Sequence, residues 1–205
     1  MTILQLDSSP RGDRSHSRAL THAFVEELKQ QHPGAHVVKR DLGHNPVPHV
    51  TEPWIAAAYS SPENHSPQAK EAIAVSDKLV DELLAADILV IGAPMYNFSI
   101  PSTLKAWVDQ VVRVGRTVVY HPEPQGLVEG KKAFLLVARG AGGYSEGKPM
   151  AGINYQDTYL KFVLGFIGIT DVTVVADEKT LSNESDLPGS IERVKQAARD
   201  LAVAA

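Results

Sequence analysis

The sequence predicts an α/β protein with a doubly wound parallel sheet, helices covering both faces. Three observations predict it. Short apolar runs alternate with amphipathic helical patterns along the chain, the signature of βα units. One run, Asp87-Ile88-Leu89-Val90-Ile91-Gly92, is unbroken and β-branched, as a strand buried on both faces requires. At 205 residues, 43% hydrophobic and 21% charged, the chain is long enough to bury a large core without staples. One domain over residues 1–205 is expected.

Ile3-Leu4-Gln5-Leu6 reads as the first strand. The helix after Ser15 puts Leu20, Ala23, Phe24 and Leu28 on one face. His36 to Leu42 is a weaker second strand. Ser66-Pro67 reads as an N-cap followed by proline at the first helical position. That helix carries Ile73, Val80, Leu83 and Leu84 to Ala85-Ala86. After the third strand (87–92), Pro101 opens a helix with Leu104, Trp107, Val108, Val111 and Val112 inward. Thr117 to Tyr120 is a short extended piece. Lys132 to Val137 and Val172 to Val175 are the fourth and fifth strands, separated by a helix over Tyr155–Ile167. Ile191, Val194, Ala198 and Leu201 mark the closing helix. Two stretches break the rhythm. Residues 46–67 hold five of the thirteen prolines and read as a stiff excursion. Residues 139–153 are rich in glycine, as a mobile binding loop would be.

The net charge of −4 is spread along the chain, which argues against nucleic acid or an anionic membrane as the main partner. No cysteine is present. Thiolate catalysis, disulfides and cysteine-held metal clusters are thereby excluded, in keeping with a reducing cytoplasm. No apolar run approaches the ~20 residues of a membrane span. The eight histidines are dispersed, and no metal site is expected. The sequence shows no G-x-G-x-x-G after its first strand, no phosphate-binding G-x-x-x-x-G-K-[ST], and no Gly-x-Ser-x-Gly elbow.

In an open parallel sheet, ligands sit at the carboxyl ends of the strands, where strand order reverses. The first such loop is Ser8-Ser9-Pro10-Arg11-Gly12-Asp13-Arg14-Ser15-His16-Ser17. Ser9, Ser15 and Ser17, with the main-chain amide of His16, suit a phosphate at a helix N-terminus; the alternative is that these serines only cap and turn. The third strand opens into Ala93-Pro94-Met95-Tyr96-Asn97-Phe98, which suits a flat aromatic ring; the alternative is a local apolar plug. Arg139-Gly140-Ala141-Gly142-Gly143-Tyr144, with Ala138 before it among the candidate cofactor-binding residues, follows the fourth strand. Its glycines let successive amides converge on an acceptor such as a flavin pyrimidine edge; a plain turn is the alternative. Together the loops suggest a phosphorylated planar cofactor, with flavin mononucleotide (FMN) as the leading candidate.

These residues resemble the bacterial FMN-dependent NADH:azoreductases and quinone reductases. The resemblance covers nearly the whole chain. It rests on Ser8-Ser9, Ser15-His16-Ser17, Ala93 to Phe98, Gly130-Lys131-Lys132, Arg139-Gly140, and Phe162 to Asp171; Pro-Met-Tyr-Asn-Phe at 94–98 is the most specific part. It implies a flavodoxin-like fold with a five-stranded sheet, one FMN per subunit, and a homodimer. It also implies two-electron reduction of quinones and aromatic azo compounds, with NADH as electron donor. One stacking slot cannot hold nicotinamide and acceptor together, so ping-pong turnover is expected, and because flavin and water can supply protons no catalytic side chain is required. Tyr120 and Phe162 stand where the family places aromatics that cover the partner subunit's flavin. As a departure, Ala138 occupies a position where the family usually has serine. A single-electron carrier of the flavodoxin type is the alternative function.

Overall fold

The computed structural model describes residues 1–203; Ala204 and Ala205, which the expected domain includes, lie outside the described residues. Five runs become the strands of one sheet: β1 (Thr2–Asp7), β2 (His36–Asp41), β3 (Ile88–Pro94), β6 (Lys132–Ala138) and β7 (Asp171–Asp177). Their order is β2-β1-β3-β6-β7, and every neighbouring pair is parallel. All seven residues of β3 are buried, the consequence of a central place with helices on both faces.

Alternation along the strands sorts the core into two layers. Leu4, Leu6, Leu89, Ile91, Leu135 and Val137 face one side, against α3 (Pro67–Ala85), α4 (Ser102–Val111) and α5 (Asp157–Phe166). Ile3, Val90, Phe134 and Leu136 face the other, against α1 (His16–Gln31) and α6 (Leu187–Val203). Each such side chain, fully buried, contributes about 1.5–3 kcal/mol. The Ser66 hydroxyl caps α3 by accepting from the Ala69 amide at 3.2 Å, as the Ser-Pro pair predicts.

The proline-rich excursion holds a short helix, α2 (Glu52–Ala58). Trp54 anchors it: the indole donates to Gln110 Oε1 on α4 at 2.8 Å, and the Arg113 guanidinium lies 5.6 Å from its ring centroid. Thr117–Tyr120 becomes β4 (Val118–Tyr120), paired antiparallel with β5 (Pro124–Gly126). That partner is invisible in the sequence, because Pro-Gln-Gly carries turn residues rather than strand formers. No helix among the described residues is long and apolar enough to cross a membrane.

Strand order reverses between β1 and β3. The crevice at their carboxyl ends is therefore where a ligand is expected, and the loops following β1, β3, β6 and β7 converge there.

Candidate functional site

A cleft of about 170 Å³ opens at this edge, lined by Ser9, Arg11, Ser15 and His16 from the first loop and α1, Pro94, Met95 and Tyr96 after β3, Ala138 and Gly140 after β6, and Thr180 and Leu181 after β7. One pole carries two hydroxyls, a guanidinium and an imidazole; the rest is largely apolar. Asn97 borders a neighbouring hollow that shares Tyr96 and is lined also by Lys105 and Tyr159. Ser17, Phe98, Arg139, Gly142 and Gly143 do not line the first cleft.

The first loop is held from below. The Ser8 hydroxyl and amide both donate to the Gly92 carbonyl, at 2.8 and 3.0 Å, stitching the loop to β3. Arg18, one turn into α1, donates twice to the Ser9 carbonyl (2.8 and 2.7 Å) and pairs with Asp41 at the end of β2. That hydrogen bond, strengthened by His44, holds the Asp41 carboxyl far below the usual carboxylate range. Two glycines permit the packing. A Cβ on Gly43 would lie 2.2 Å from the Ser9 carbonyl oxygen, and one on Gly92 would lie 2.6 Å from Thr21 of α1. Ser15 caps α1 by accepting from the Arg18 amide at 3.4 Å, and its hydroxyl lies 3.2 Å from that of Ser17. Capping is thus part of what Ser15 does. The amides of His16 and Ser17 occupy the first helical turn, where no intrahelical acceptor exists.

The segment after β3 departs from the sequence-based boundaries. Ala93 and Pro94 are strand residues, Pro94 closing the strand opposite Ala138. Tyr96 and Ser99 then exchange main-chain hydrogen bonds at 2.9 and 3.0 Å. Between them Asn97 (φ 48°) and Phe98 (φ 70°) both sit in the left-handed region, the pattern of a type I′ turn. For a phenylalanine this costs about 1–3 kcal/mol, and such strain persists where the surroundings over-determine it. They do here: Phe98's carbonyl accepts from the Tyr155 amide at 3.0 Å, and Gln156 donates to the Ala93 carbonyl at 3.0 Å. The turn holds Tyr96 and Phe98 partly exposed.

The glycine loop is occupied from within. The Gly143 and Tyr144 amides converge on an acceptor, as the glycines predict, but that acceptor is Glu178, at 2.9 and 3.3 Å. Burial alone would raise the Glu178 carboxyl; the Gly143 amide and the Arg139 guanidinium outweigh it and hold it below its ordinary value. Arg139 is 1% exposed and points inward, donating to Gln156 (3.1 Å), Asp157 (2.8 Å) and Glu178 (3.0 Å). Its amide is engaged by the Asp177 carbonyl at 2.9 Å.

Thr180 and Leu181 escape a reading of the sequence. They follow Asp177-Glu178-Lys179, which reads as a solvated charge run. The signal available is position: β7 ends on the same edge as β1, β3 and β6. Tyr120 and Phe162 are 52% and 71% exposed, so neither belongs to this chain's core.

A polar pole at a helix N-terminus joined to an apolar slot at the switch point defines a nucleotide-type cleft on a flavodoxin-like sheet. The chain belongs to the family described as flavodoxin-like fold, which matches residues 1–201. It is 52% identical to an FMN-dependent NADH:quinone oxidoreductase of Nostoc sp., over 95% of this chain and 97% of that one. Among solved structures, an azoreductase from Bacillus anthracis matches 98% of this chain and 96% of its own with TM-score 0.80 and 31% identity. The fold is shared also with an FMN-dependent NADH-azoreductase from Bacillus anthracis in complex with FMN, at TM-score 0.89 and 23% identity, over 98% of this chain and all of that one.

Proposed function

We propose that this protein is an FMN-dependent oxidoreductase that takes electrons from NADH and reduces quinones and aromatic azo compounds. The observation that carries this reading is one cleft at the switch point in which Pro94, Met95 and Tyr96, at the start of the strained Tyr96–Ser99 turn, face Ser9, Arg11, Ser15 and His16 at a helix N-terminus. The relatives bear the matching names.

The residues present fit FMN. Free first-turn amides of His16 and Ser17, the hydroxyls of Ser9, Ser15 and Ser17, and Arg11 form a donor set suited to a single phosphate. Pro94, Met95 and Tyr96 would line the ring's slot on one side, with Asn97 and Phe98 on the turn beside it, and Ala138 and Gly140 on the other; Gly142 stands outside the cleft. Arg139 and Gly143 brace that loop from behind. When bound, FMN supplies the two-electron chemistry. The protein's part is to hold, orient and exclude water; no acid or base side chain is required.

One slot beside the Tyr96–Phe98 turn cannot hold nicotinamide and acceptor together, so the two bind in turn and kinetics are ping-pong. We read Tyr120 and Phe162 as covered by a second copy of the chain, forming a homodimer in which they roof the partner's cleft and stack on planar acceptors. The enzyme works as one domain in the cytoplasm.

The test is anaerobic. NADH should bleach the visible absorbance of the yellow holoprotein, and a quinone added afterwards should restore it. A colourless protein after reconstitution with FMN, or an absorbance indifferent to NADH, contradicts the reading. Initial rates at several fixed quinone concentrations should give parallel double-reciprocal lines; intersecting lines contradict the shared slot.

A further inference from the structure

His16 carries more than its main-chain amide. Its ring Nδ1 lies 2.5 Å from Oδ2 of Asp177, at the end of β7, three places across the sheet from β1. Asp177 is 1% exposed and accepts also from the hydroxyls of Ser190 (3.0 Å) and Ser185 (3.2 Å). A carboxylate only accepts, so Nδ1 carries a proton and Nε2 is the ring nitrogen left for other partners. The imidazole is one quarter exposed and lines the cleft beside Ser9, Arg11 and Ser15. A strap from α1 to β7 would need only Nδ1. A ring fixed at Nδ1 and set among the hydroxyls at the polar pole is also a built anion donor.

We propose that the Nε2 of His16 takes up a proton from solvent when the phosphate of the cofactor enters the cleft, and that the resulting imidazolium, held by Asp177, donates to that phosphate. The inference rests on the FMN reading above. It makes His16 a selector for the phosphorylated cofactor over its phosphate-free form. A phosphate dianion and a carboxylate on either side of one imidazole both favour its charged form. Among the described residues, Asp177 is the charged group bonded to the ring. Arg11 shares the cleft as a second cation. Glu178 and Lys179, which follow Asp177, are paired with Arg139 and Glu184. Arg193 of α6 donates to Ser190 and to the Ala176 carbonyl. Only a proton moves, from water to Nε2.

Calorimetric titration of the apoprotein tests this, with FMN and riboflavin as ligands in two buffers of different ionisation enthalpy. The working pH is about 8, where a phosphate monoester with a second pKa of about 6 is already a dianion. The wild type should take up protons with FMN and none with riboflavin. In His16→Gln, whose amide can still donate to Asp177, uptake should vanish. Its Kd for FMN should rise about tenfold, one decade of the affinity scale, with riboflavin binding unchanged. The nitrogen spectrum of labelled histidine in the wild type gives the same answer without a substitution: Nε2 should become protonated on adding FMN and not on adding riboflavin. Equal weakening of both ligands, or an unchanged proton count in His16→Gln, overturns the proposal. Tight FMN binding by the wild type without proton uptake overturns it alone; no FMN binding at all overturns the cofactor reading with it.

Discussion

The loops after β1 and β6 are both rich in potential donors, yet they spend those donors differently. In the first, straps from below (Ser8 to Gly92, Arg18 to Ser9 and Asp41) fix the main chain, and among the described residues no acceptor engages the first-turn amides of His16 and Ser17. In the second, the Gly143 and Tyr144 amides close on Glu178, and the Arg139 amide on the Asp177 carbonyl. A run of glycines therefore tells how many amides can converge, and not whether a ligand is what they converge on. The first loop leaves its helix-terminal amides to a ligand; the second closes its Gly143 and Tyr144 amides on its own carboxylate and presents Ala138 and Gly140 to the cleft.

That contrast breaks most visibly at Arg139. Removing a cation that is 1% exposed and bonded to Asp157 and Glu178 leaves uncompensated buried charge, which costs about 3–5 kcal/mol. Arg139→Met should lower the denaturant midpoint accordingly. A change within experimental error would show that the second loop does not stand on Arg139.

Next in size is the first loop. Hydrogen bonds to a charged group contribute about 1.5–3 kcal/mol, and each ~1.4 kcal/mol is tenfold in affinity. Ser17→Ala should weaken FMN binding roughly ten- to a hundredfold, with turnover at saturating FMN little changed. Unaltered flavin affinity in both Ser15→Ala and Ser17→Ala would leave Ser15 as a helix cap and Ser17 as its hydroxyl partner alone.

A smaller effect comes from acid. The Glu178 carboxyl is held below its ordinary value of 4.5 despite burial. A depressed carboxyl contributes stability that is present above its unfolded value and is lost as pH falls through the folded one. Wild-type stability should therefore decline below about pH 4.5 more steeply than that of Glu178→Gln. Parallel pH profiles for the two would remove Glu178 from the account.

The smallest stability effect belongs to Phe162. A side chain 71% exposed should cost the folded chain no more than about 0.5 kcal/mol on truncation to alanine. The ranking of quinone and azo acceptors should nevertheless change. A large stability loss with the ranking preserved, or a wild type that stays monomeric at assay concentration, contradicts its place over a partner's cleft.

The sheet was legible because its signal is local: β3 declares itself by an unbroken apolar run, and α3 by Ser66-Pro67. The loops after β1 and β3 were legible because the switch-point rule ties function to position in the chain. What stayed hidden depends on side chains meeting at long range. Glu178 lies 35 residues from Gly143, and Asp177 lies 161 residues from His16; no spacing announces either pair. The left-handed Asn97-Phe98 turn was hidden too, since phenylalanine is among the last residues expected at positive φ. β5 escaped for the opposite reason, its Pro-Gln-Gly imitating a turn.

The most direct measurement is fluorescence titration of apoprotein with FMN, comparing wild type, Ser17→Ala and Glu178→Gln side by side. The account predicts tight binding by the wild type, a Kd raised at least tenfold in Ser17→Ala, and a near wild-type value in Glu178→Gln. If Glu178→Gln changes the affinity and Ser17→Ala does not, the Gly143 and Tyr144 amides receive the cofactor and the central claim is wrong.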